Sequence, residues 1–229
     1  MIRIREFQPG LYILNDGKVQ QFLFTGGAEA LLVDAGFPGG GVAEAVRGLT
    51  DKPVKLVLTH GDPDHMGGAP DFGAAFLHPA DWPMAPAGLA LQPLKEGDRF
   101  SCGAWELEVI ETPGHTPGSI ALFDRAHRLL LPGDTVQTGG PIYMFGPHRD
   151  LEQYIASLEK LRRWEPLADT LLPCHHDCPI GPEAIAQVLE DARALARGEL
   201  PGVPRADPPC WWYRGRWARF YGEPPAGET

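Results

Sequence analysis

Four side chains that can bind a metal ion fall within six residues of this sequence. They lie at positions i, i+2, i+4 and i+5 and are His60, Asp62, Asp64 and His65. Imidazole and carboxylate groups suit zinc, iron and manganese. The apolar run 54–58 precedes them, and a loop beyond the carboxyl end of a strand is where open α/β sheets bind ligands. We therefore interpret this loop as a metal site; the alternative is a polar surface loop with incidental histidines.

Three later segments supply further candidate ligands, and each adjoins a predicted strand. His115 lies in the run Pro-Gly-His-Thr-Pro-Gly, in which prolines and glycines bend the chain sharply. Asp134 follows an apolar strand and a glycine, where a plain turn cap is the alternative. The adjacent pair His175 and His176 follows the strand predicted at 170–172. We expect one histidine of this pair, with His115 and Asp134, to complete the site.

Together these segments resemble the metallo-β-lactamase superfamily, whose signature is His-x-His-x-Asp-His after a strand. One position departs from that pattern, because Asp62 stands where the family has its second histidine. The resemblance implies two metal ions, one held by His60, Asp62 and His115 and the other by Asp64, His65 and His175, with Asp134 between them. It favours His175 over His176 by register. It also matches Asp34 to an aspartate that orients a ligand histidine, and a plain hairpin-end aspartate is the alternative there.

The aspartate at position 62 bears on the identity of the metal. A carboxylate in place of an imidazole adds a negative charge and a harder donor, which favours iron or manganese over zinc. A glutamate at this position is a feature of the flavodiiron branch of the superfamily, which binds two irons. We therefore expect two divalent ions (Zn, Fe or Mn), with iron or manganese preferred through Asp62. A mixed zinc–iron pair and a single ion are the alternatives.

The implied chemistry is hydrolysis. Two divalent ions about 3.5 to 4 Å apart share a water and lower its pKa towards ~7, so that a bridging hydroxide attacks the substrate. Asp64 and Asp134 are the expected catalytic carboxylates. The run Gly-Asp-Thr at 133–135, the helix at 157–161 and Asp-Thr at 169–170 resemble the glyoxalase II-like branch. We expect a metallo-hydrolase that cleaves an ester, thioester, lactone or phosphoester of a small molecule.

Two other functions remain open on the same residues. One is an iron-dependent oxidoreductase similar to persulfide dioxygenases, and the other is a non-catalytic metal-binding protein. Apolar side chains near the ligand loops would suit an acyl group, although ordinary packing explains each of them equally well. These pocket residues, with a histidine that could face substrate, are Trp82, Met84, Tyr143, Met144, Phe145 and His148.

The elements that carry these ligands form two similar halves. Each opens with strands and continues into a helix, and the second half has helices at 151–164 and 182–196. This order predicts an α/β (α+β) fold class, and the resemblance implies a four-layer αββα sandwich with its ligands at one edge. We assign residues 1–200 to this domain. Residues 201–229 are interpreted as a Pro-rich connector at 201–209 and a final strand at 211–221 that packs on the same domain.

Composition limits the possible partners. The formal net charge of -10 argues against a nucleic-acid surface, which needs a basic stripe. No apolar run approaches the roughly 20 residues of a membrane span, and the first residues do not resemble a signal peptide. We therefore expect a cytoplasmic protein that acts on a small molecule, without nucleic-acid or membrane partners. The oligomeric state stays open.

Overall fold

The computed structural model describes residues 2–225, which form three β-sheets and four α-helices. The strands are β1 Arg3–Gln8, β2 Leu11–Asn15, β3 Gln20–Phe24, β4 Ala30–Val33, β5 Val54–Val57, β6 Ala74–Leu77, β7 Ala90–Pro93, β8 Arg99–Cys102, β9 Trp105–Glu111, β10 Ile120–Asp124, β11 Leu129–Leu131, β12 Pro141–Met144, β13 Thr170–Leu171, β14 Gly202–Ala206, β15 Pro209–Arg214 and β16 Arg219–Gly222. The helices are α1 Val42–Arg47, α2 Pro63–Met66, α3 Leu151–Leu161 and α4 Ala184–Ala196.

Two of the sheets face each other across the main hydrophobic core. The first contains β1 to β7 in sequence order, and the second has the order β13-β11-β10-β9-β8. Phe22 and Phe24 from β3 and Leu107 and Val109 from β9 are buried in the cluster between them. Because strand side chains alternate between faces, the intervening residues point away from this core. Another layer of structure must cover the outer faces of the two sheets.

Helices cover the two outer faces of this pair of sheets. Val46 of α1 shares a buried cluster with Leu32 of the first sheet. Leu158 of α3 and Val188 of α4 share another with Phe123 of the second sheet. The layers are therefore helix, sheet, sheet and helix, which confirms the predicted αββα sandwich. Within residues 2–225, no helix has both the length and the apolar character that spanning a membrane requires.

The strand directions bring the predicted ligand loops to one edge. β4 and β5 are parallel, and so are β11 and β13. β9 runs in the same direction as β11, because both pair antiparallel with β10. The carboxyl ends of these five strands lead to Asp34, His60, His115, Asp134 and His175. The sequence-predicted residues thus share an edge because of the sheet topology.

The C-terminal segment differs from the prediction. The presumed connector contains β14, and the single strand expected at 211–221 is a hairpin of β15 and β16. These strands form a third sheet with the order β12-β16-β15-β14. β14 is an edge strand, where Pro204 opposite Trp211 removes no hydrogen bond from a central ladder. Tyr213 and Phe220 are buried in the cluster that contains α3 and α4 residues, so this sheet packs on the sandwich.

Asp191 on α4 connects this third sheet to the helical layer. It is buried and accepts hydrogen bonds from the backbone N–H groups of Arg216 (3.0 Å), Trp217 (2.6 Å) and Ala218 (2.6 Å) in the β15–β16 turn. Asp191→Ala is expected to lower the free energy of unfolding by about 2–4 kcal/mol, since a buried unpaired donor costs about 1–3 kcal/mol. Chemical denaturation measures this loss. The exposed neighbour Glu190→Ala is the matched control, and equal losses in the two variants would contradict the prediction.

Candidate metal centre

The loop after β5 turns so tightly that its four candidate ligands face one region. Asp62 has an extended backbone, and its carbonyl oxygen accepts bonds from the N–H groups of His65 and Met66, the last two residues of α2. Pro63 stands at the start of this helix, where its missing N–H costs nothing. His60 and His65 are buried, whereas Asp62 and Asp64 are partly exposed towards the edge. The loop therefore holds the rings of His60 and His65 in buried positions and leaves the carboxylates of Asp62 and Asp64 more accessible.

The first predicted group of ligands is assembled in the structure. Oδ2 of Asp62 lies 3.2 Å from Nε2 of His115 and 3.5 Å from Nε2 of His60. One ligand atom from each of the three residues lies within 4.8 Å of the others. Ligand atoms about 2.0–2.2 Å from a common ion have separations of this size.

The second predicted group is assembled as well. Nε2 of His175 lies 3.2 Å from Nε2 of His65 and 3.2 Å from Oδ2 of Asp64. His176 has a positive φ of 60°, and its Nε2 faces the backbone carbonyl of Pro141 at 3.4 Å. The geometry therefore favours His175 over its neighbour as the ligand at this position.

Asp134 lies between the two groups. Its Oδ2 is 3.5 Å from Nε2 of His115 in the first group and 3.3 Å from Nε2 of His175 in the second. Its Oδ1 is 3.6 Å from Nε2 of His65. This is the position that a carboxylate shared by two ions requires.

Three of the histidine rings are oriented by bonds at Nδ1. Nδ1 of His65 donates to a buried carboxylate (2.8 Å), and Nδ1 of His175 donates to the backbone carbonyl of Lys18 (2.8 Å). The hydroxyl of Thr59 gives its proton to the same carboxylate, so its oxygen accepts from Nδ1 of His60 (3.0 Å). With the proton on Nδ1, each Nε2 presents the lone pair that metal binding needs.

The buried carboxylate behind these rings is Asp34. Its Oδ1 accepts from the backbone N–H of Thr59 (2.7 Å), and its Oδ2 accepts from the hydroxyl of Thr59 (2.8 Å) and from Nδ1 of His65. The thiol of Cys174 also donates to Oδ2 at 3.3 Å. Asp34 thus occupies the position expected of a residue that orients a ligand histidine, and Cys174 is an additional donor to it.

The electrostatics of the centre favour ionised carboxylates. Burial raises the pKa of Asp134, but the charges of His175 and His65 outweigh burial and hold that pKa well below its usual range. Burial lowers the pKa of His175, whereas the charge of Asp134 and hydrogen bonds to it raise that pKa to about 10. Binding of a metal ion must therefore displace protons from the centre.

The residues present fit divalent ions. Among the described residues, Nε2 of His60 and Oδ1 of Asp134 are buried and have no hydrogen-bond partner. A buried polar atom without a partner is costly, and a metal ion supplies the missing interaction. The donor set of imidazole nitrogens and carboxylate oxygens is compatible with zinc, iron and manganese.

Asp81 is a buried residue beside the candidate ligands that the sequence analysis did not predict. It is fully buried, and its Oδ2 accepts from the backbone N–H of Gly61 (2.8 Å) and the hydroxyl of Thr116 (2.6 Å). Its Oδ1 accepts from the backbone N–H of Gly118 (2.7 Å). Asp81 thereby ties the first ligand loop to the loop that carries His115. An isolated aspartate has no spacing pattern that would have revealed this role.

Asp81→Asn is expected to weaken metal binding about 10- to 100-fold, as is typical when a residue that supports ligands is changed. The amide group keeps one acceptor oxygen but turns an NH₂ group towards N–H and O–H donors. Titration calorimetry with Zn²⁺ measures the effect. Asp71→Asn, at an exposed position, is the matched control, and unchanged affinity in Asp81→Asn would show that the two loops need no such connection.

A cavity of about 730 Å³ opens beside the centre. Besides candidate ligands, its lining includes Lys18, Phe37 and Tyr143. Tyr143 was one of the suggested pocket residues. Met144 points into the outer core instead, because successive strand residues face opposite sides.

The other suggested pocket residues are absent from the lining of this cavity. Met84 packs against the outer core of the first sheet. Nε1 of Trp82 donates to the backbone carbonyl of Leu77 (2.9 Å). The ring of Phe145 lies 5.7 Å from that of Tyr143. His148 is not part of the lining, but the next residue, Arg149, is. The sequence analysis did not predict Arg149.

Comparisons with known proteins agree with this geometry. A family model described as the metallo-beta-lactamase superfamily matches residues 14–175. A protein named hydroxyacylglutathione hydrolase from Bdellovibrio bacteriovorus is 34% identical over 170 residues, which cover 73% of this chain and 62% of that protein. The acyl-coenzyme A thioesterase MBLAC2 of Gallus gallus is 27% identical over 201 residues, 67% of this chain and 71% of that protein. The match thus spans less than two thirds of the length of the first relative.

Solved structures show the same fold at lower sequence identity. A metallo-beta-lactamase family protein from Thermus thermophilus has a TM-score of 0.68 at 23% identity and covers 84% of this chain and 81% of that chain. A metallo-beta-lactamase from Pontibacter korlensis has a TM-score of 0.72 at 17% identity and covers 84% and 99%.

An αββα sandwich with a cluster of histidines and aspartates at one edge defines a class of metal-binding scaffold. The chain belongs to the metallo-β-lactamase superfamily. Within it, the named relatives support the glyoxalase II-like branch. Both levels of the resemblance seen in the sequence are confirmed.

Proposed function

We propose that this chain is a metal-dependent thioester hydrolase. The observation that carries the proposal is the convergence of two His/Asp groups on Asp134 beside a cavity. Two of its relatives are named for hydrolysis of thioesters, one of a hydroxyacylglutathione and one of an acyl-coenzyme A. Thioesters are therefore the first substrates to test among the esters, lactones and phosphoesters that the ligand set allows.

In this proposal the residues of this chain hold the metal ions, orient the ligand rings and enclose the substrate. His60, Asp62 and His115 would hold one divalent ion and Asp64, His65 and His175 a second, and the carboxylate of Asp134 lies within reach of both groups. When bound, such a pair of ions supplies a water of lowered pKa and polarises the scissile carbonyl. Asp34 fixes the ring of His65 through Nδ1 (2.8 Å), and the backbone carbonyl of Lys18 fixes that of His175 (2.8 Å). These bonds keep each Nε2 directed at the centre before substrate arrives.

The cavity suits the two parts of a thioester. Phe37 and Tyr143 provide apolar surface for an acyl group. The Nζ of Lys18 lies 5.4 Å from the centroid of the Phe37 ring, which places a cation in the same lining. An anionic thiol carrier would meet this cation, whereas a neutral alcohol would not use it.

The test is a substrate panel on protein stripped with a chelator and reloaded with Zn²⁺, Mn²⁺ or Fe²⁺. We expect hydrolysis of an acyl-coenzyme A or a hydroxyacylglutathione to be lost on stripping and to return on reloading. A matched oxygen ester and a lactone distinguish thioester preference from general esterase activity. Oxygen consumption with a persulfide, without thioester cleavage, would replace the proposal by the dioxygenase function. Two bound ions without turnover of the whole panel would leave a metal-binding protein.

Elemental analysis of protein purified without added metal tests the cofactor. We propose two divalent ions, with iron or manganese favoured by the carboxylate of Asp62. Zinc alone at full occupancy would contradict that preference. Cytoplasmic location and the absence of nucleic-acid and membrane partners stay predictions.

A further inference from the structure

Arg149 connects two candidate ligands of the first group. Its side chain is mostly buried, with 12% exposed. Its Nη2 lies 2.5 Å from Oδ2 of Asp62, and its Nη1 donates to the backbone carbonyl of His115 at 2.5 Å. The planar guanidinium suits such a double contact, because its donors form a fixed fork. A lysine at this position could supply the positive charge, but it lacks the fixed fork of donors that reaches both acceptors.

The start of α3 sets the position of Arg149. The next residue, Asp150, is the N-cap of α3 and accepts a bond from the backbone N–H of Gln153 (2.9 Å). The backbone N–H of Asp150 donates to the carbonyl of Gly114 (2.8 Å). The loop that carries His115 is therefore bonded both to the backbone next to Arg149 and to the side chain of Arg149.

The charges of Arg149 and Asp62 cancel. The family pattern has an imidazole at position 62, so the aspartate adds one negative charge to a centre that already contains Asp64 and Asp134. A mostly buried carboxylate is costly unless a cation is paired with it. With Arg149 in contact, the pair carries the same net charge as a neutral histidine.

We propose that Arg149 is the positioning residue that allows Asp62 to replace a histidine in this centre. It neutralises the added charge and holds Oδ2 of Asp62 between His60 and His115. The proposal rests on the metal centre proposed above. Because Arg149 cancels the charge of Asp62, that charge no longer favours iron or manganese. The expected preference for these metals then depends on the hardness of the oxygen donor alone.

The two positions must then change together. Asp62→His alone restores the common ligand of the family, yet it leaves Nη2 of Arg149 buried, without its acceptor and next to a divalent ion. We therefore expect the dissociation constant of the weaker ion to rise about 10- to 100-fold in Asp62→His. The double variant Asp62→His/Arg149→Met removes the stranded cation and should return to within a few-fold of the wild type.

The experiment is a double-mutant cycle on the full chain, with Zn²⁺ and Mn²⁺ titrated separately into the wild type, Asp62→His, Arg149→Met and the double variant. The coupling between the two substitutions is expected to reach about tenfold or more in the dissociation constant. A second measurement is the melting temperature in chelator. Arg149→Met should lower the melting temperature more in the wild-type background than beside Asp62→His, since only in the wild-type background does the carboxylate of Asp62 lose its arginine partner.

The outcomes separate this inference from the proposed function. Two ions bound by the wild type, with additive effects in the cycle, would overturn the role of Arg149 and leave the metal centre intact. No ion bound by the wild type would overturn both. Arg149→Lys covers the case in which Arg149→Met fails to fold. It keeps the charge but loses the fork, and affinity equal to the wild type would show that charge alone suffices and overturn the positioning part of the proposal.

Discussion

Asp134→Asn is expected to lower kcat/KM for a thioester substrate by about 10³-fold. Its carboxylate contacts both ligand groups, with Oδ2 3.5 Å from Nε2 of His115 and 3.3 Å from Nε2 of His175. An asparagine offers one neutral acceptor oxygen and turns an NH₂ group towards a cationic centre. Stabilisation of the transition state by bound ions is worth several kcal/mol, and each 1.36 kcal/mol corresponds to a factor of ten in rate. Steady-state kinetics and metal content, measured on one preparation, test this expectation.

The matched control removes the same charge far from the centre. Asp51 is exposed, so Asp51→Asn changes the net charge equally and touches no candidate ligand. We expect it to keep wild-type kinetics. Wild-type activity in Asp134→Asn at full metal content would contradict a shared role for this carboxylate. Equal losses in both variants would assign the effect to net charge.

The candidate ligands were predictable because each of the segments that carry them follows a strand. The motif at His60 to His65 is local in sequence, and the loops that carry His115, Asp134 and His175 have glycine, proline or cysteine at the bends. Parallel strand directions then bring separate loops to one edge without any further sequence signal. The resemblance to the superfamily's motifs indicated which loops would supply ligands, and the structure brings the seven candidate side chains together at this edge.

The residues that support the ligands were missed for a physical reason. Asp81 and Arg149 act through bonds to backbone groups and to a carboxylate, and such bonds need no particular spacing in the sequence. One feature of the sequence could have indicated the role of Arg149. An additional carboxylate at position 62 requires a counter-charge nearby, and Arg149 lies two residues before the helix predicted at 151–164.

The C-terminal sheet was mispredicted because proline content was interpreted as a connector. Pro204 lies within β14 and Pro209 begins β15, and both positions tolerate a missing N–H in an edge strand or at a strand start. The short strands β6, β7 and β8 were also missed. β6 and β7 pair parallel to their neighbours, and strands of this kind lack the alternation on which the prediction relied.

Gly114→Ala is expected to lower the free energy of unfolding by about 3–5 kcal/mol and to displace His115. Gly114 has φ +130°, and an added Cβ would overlap the backbone nitrogen and the Cα of Tyr154. These atoms belong to α3 and cannot rotate away as a side chain could. Overpacking and an unfavourable backbone conformation each cost about 1–3 kcal/mol, and they add here. Chemical denaturation and Zn²⁺ titration measure the two effects.

Gly88→Ala separates the packing effect from the backbone effect. Gly88 also has a positive φ, of 84°, but an added Cβ there would meet no atom within 4 Å. Only the backbone cost of about 1–2 kcal/mol is expected, with unchanged metal affinity. If Gly114→Ala lost no more stability than this control, the loop of His115 could move away from α3 at little cost. The contact between Gly114 and the helix would then not be what fixes the position of His115, and the hydrogen bonds to that loop, including those of Asp81 and Arg149, would hold it instead.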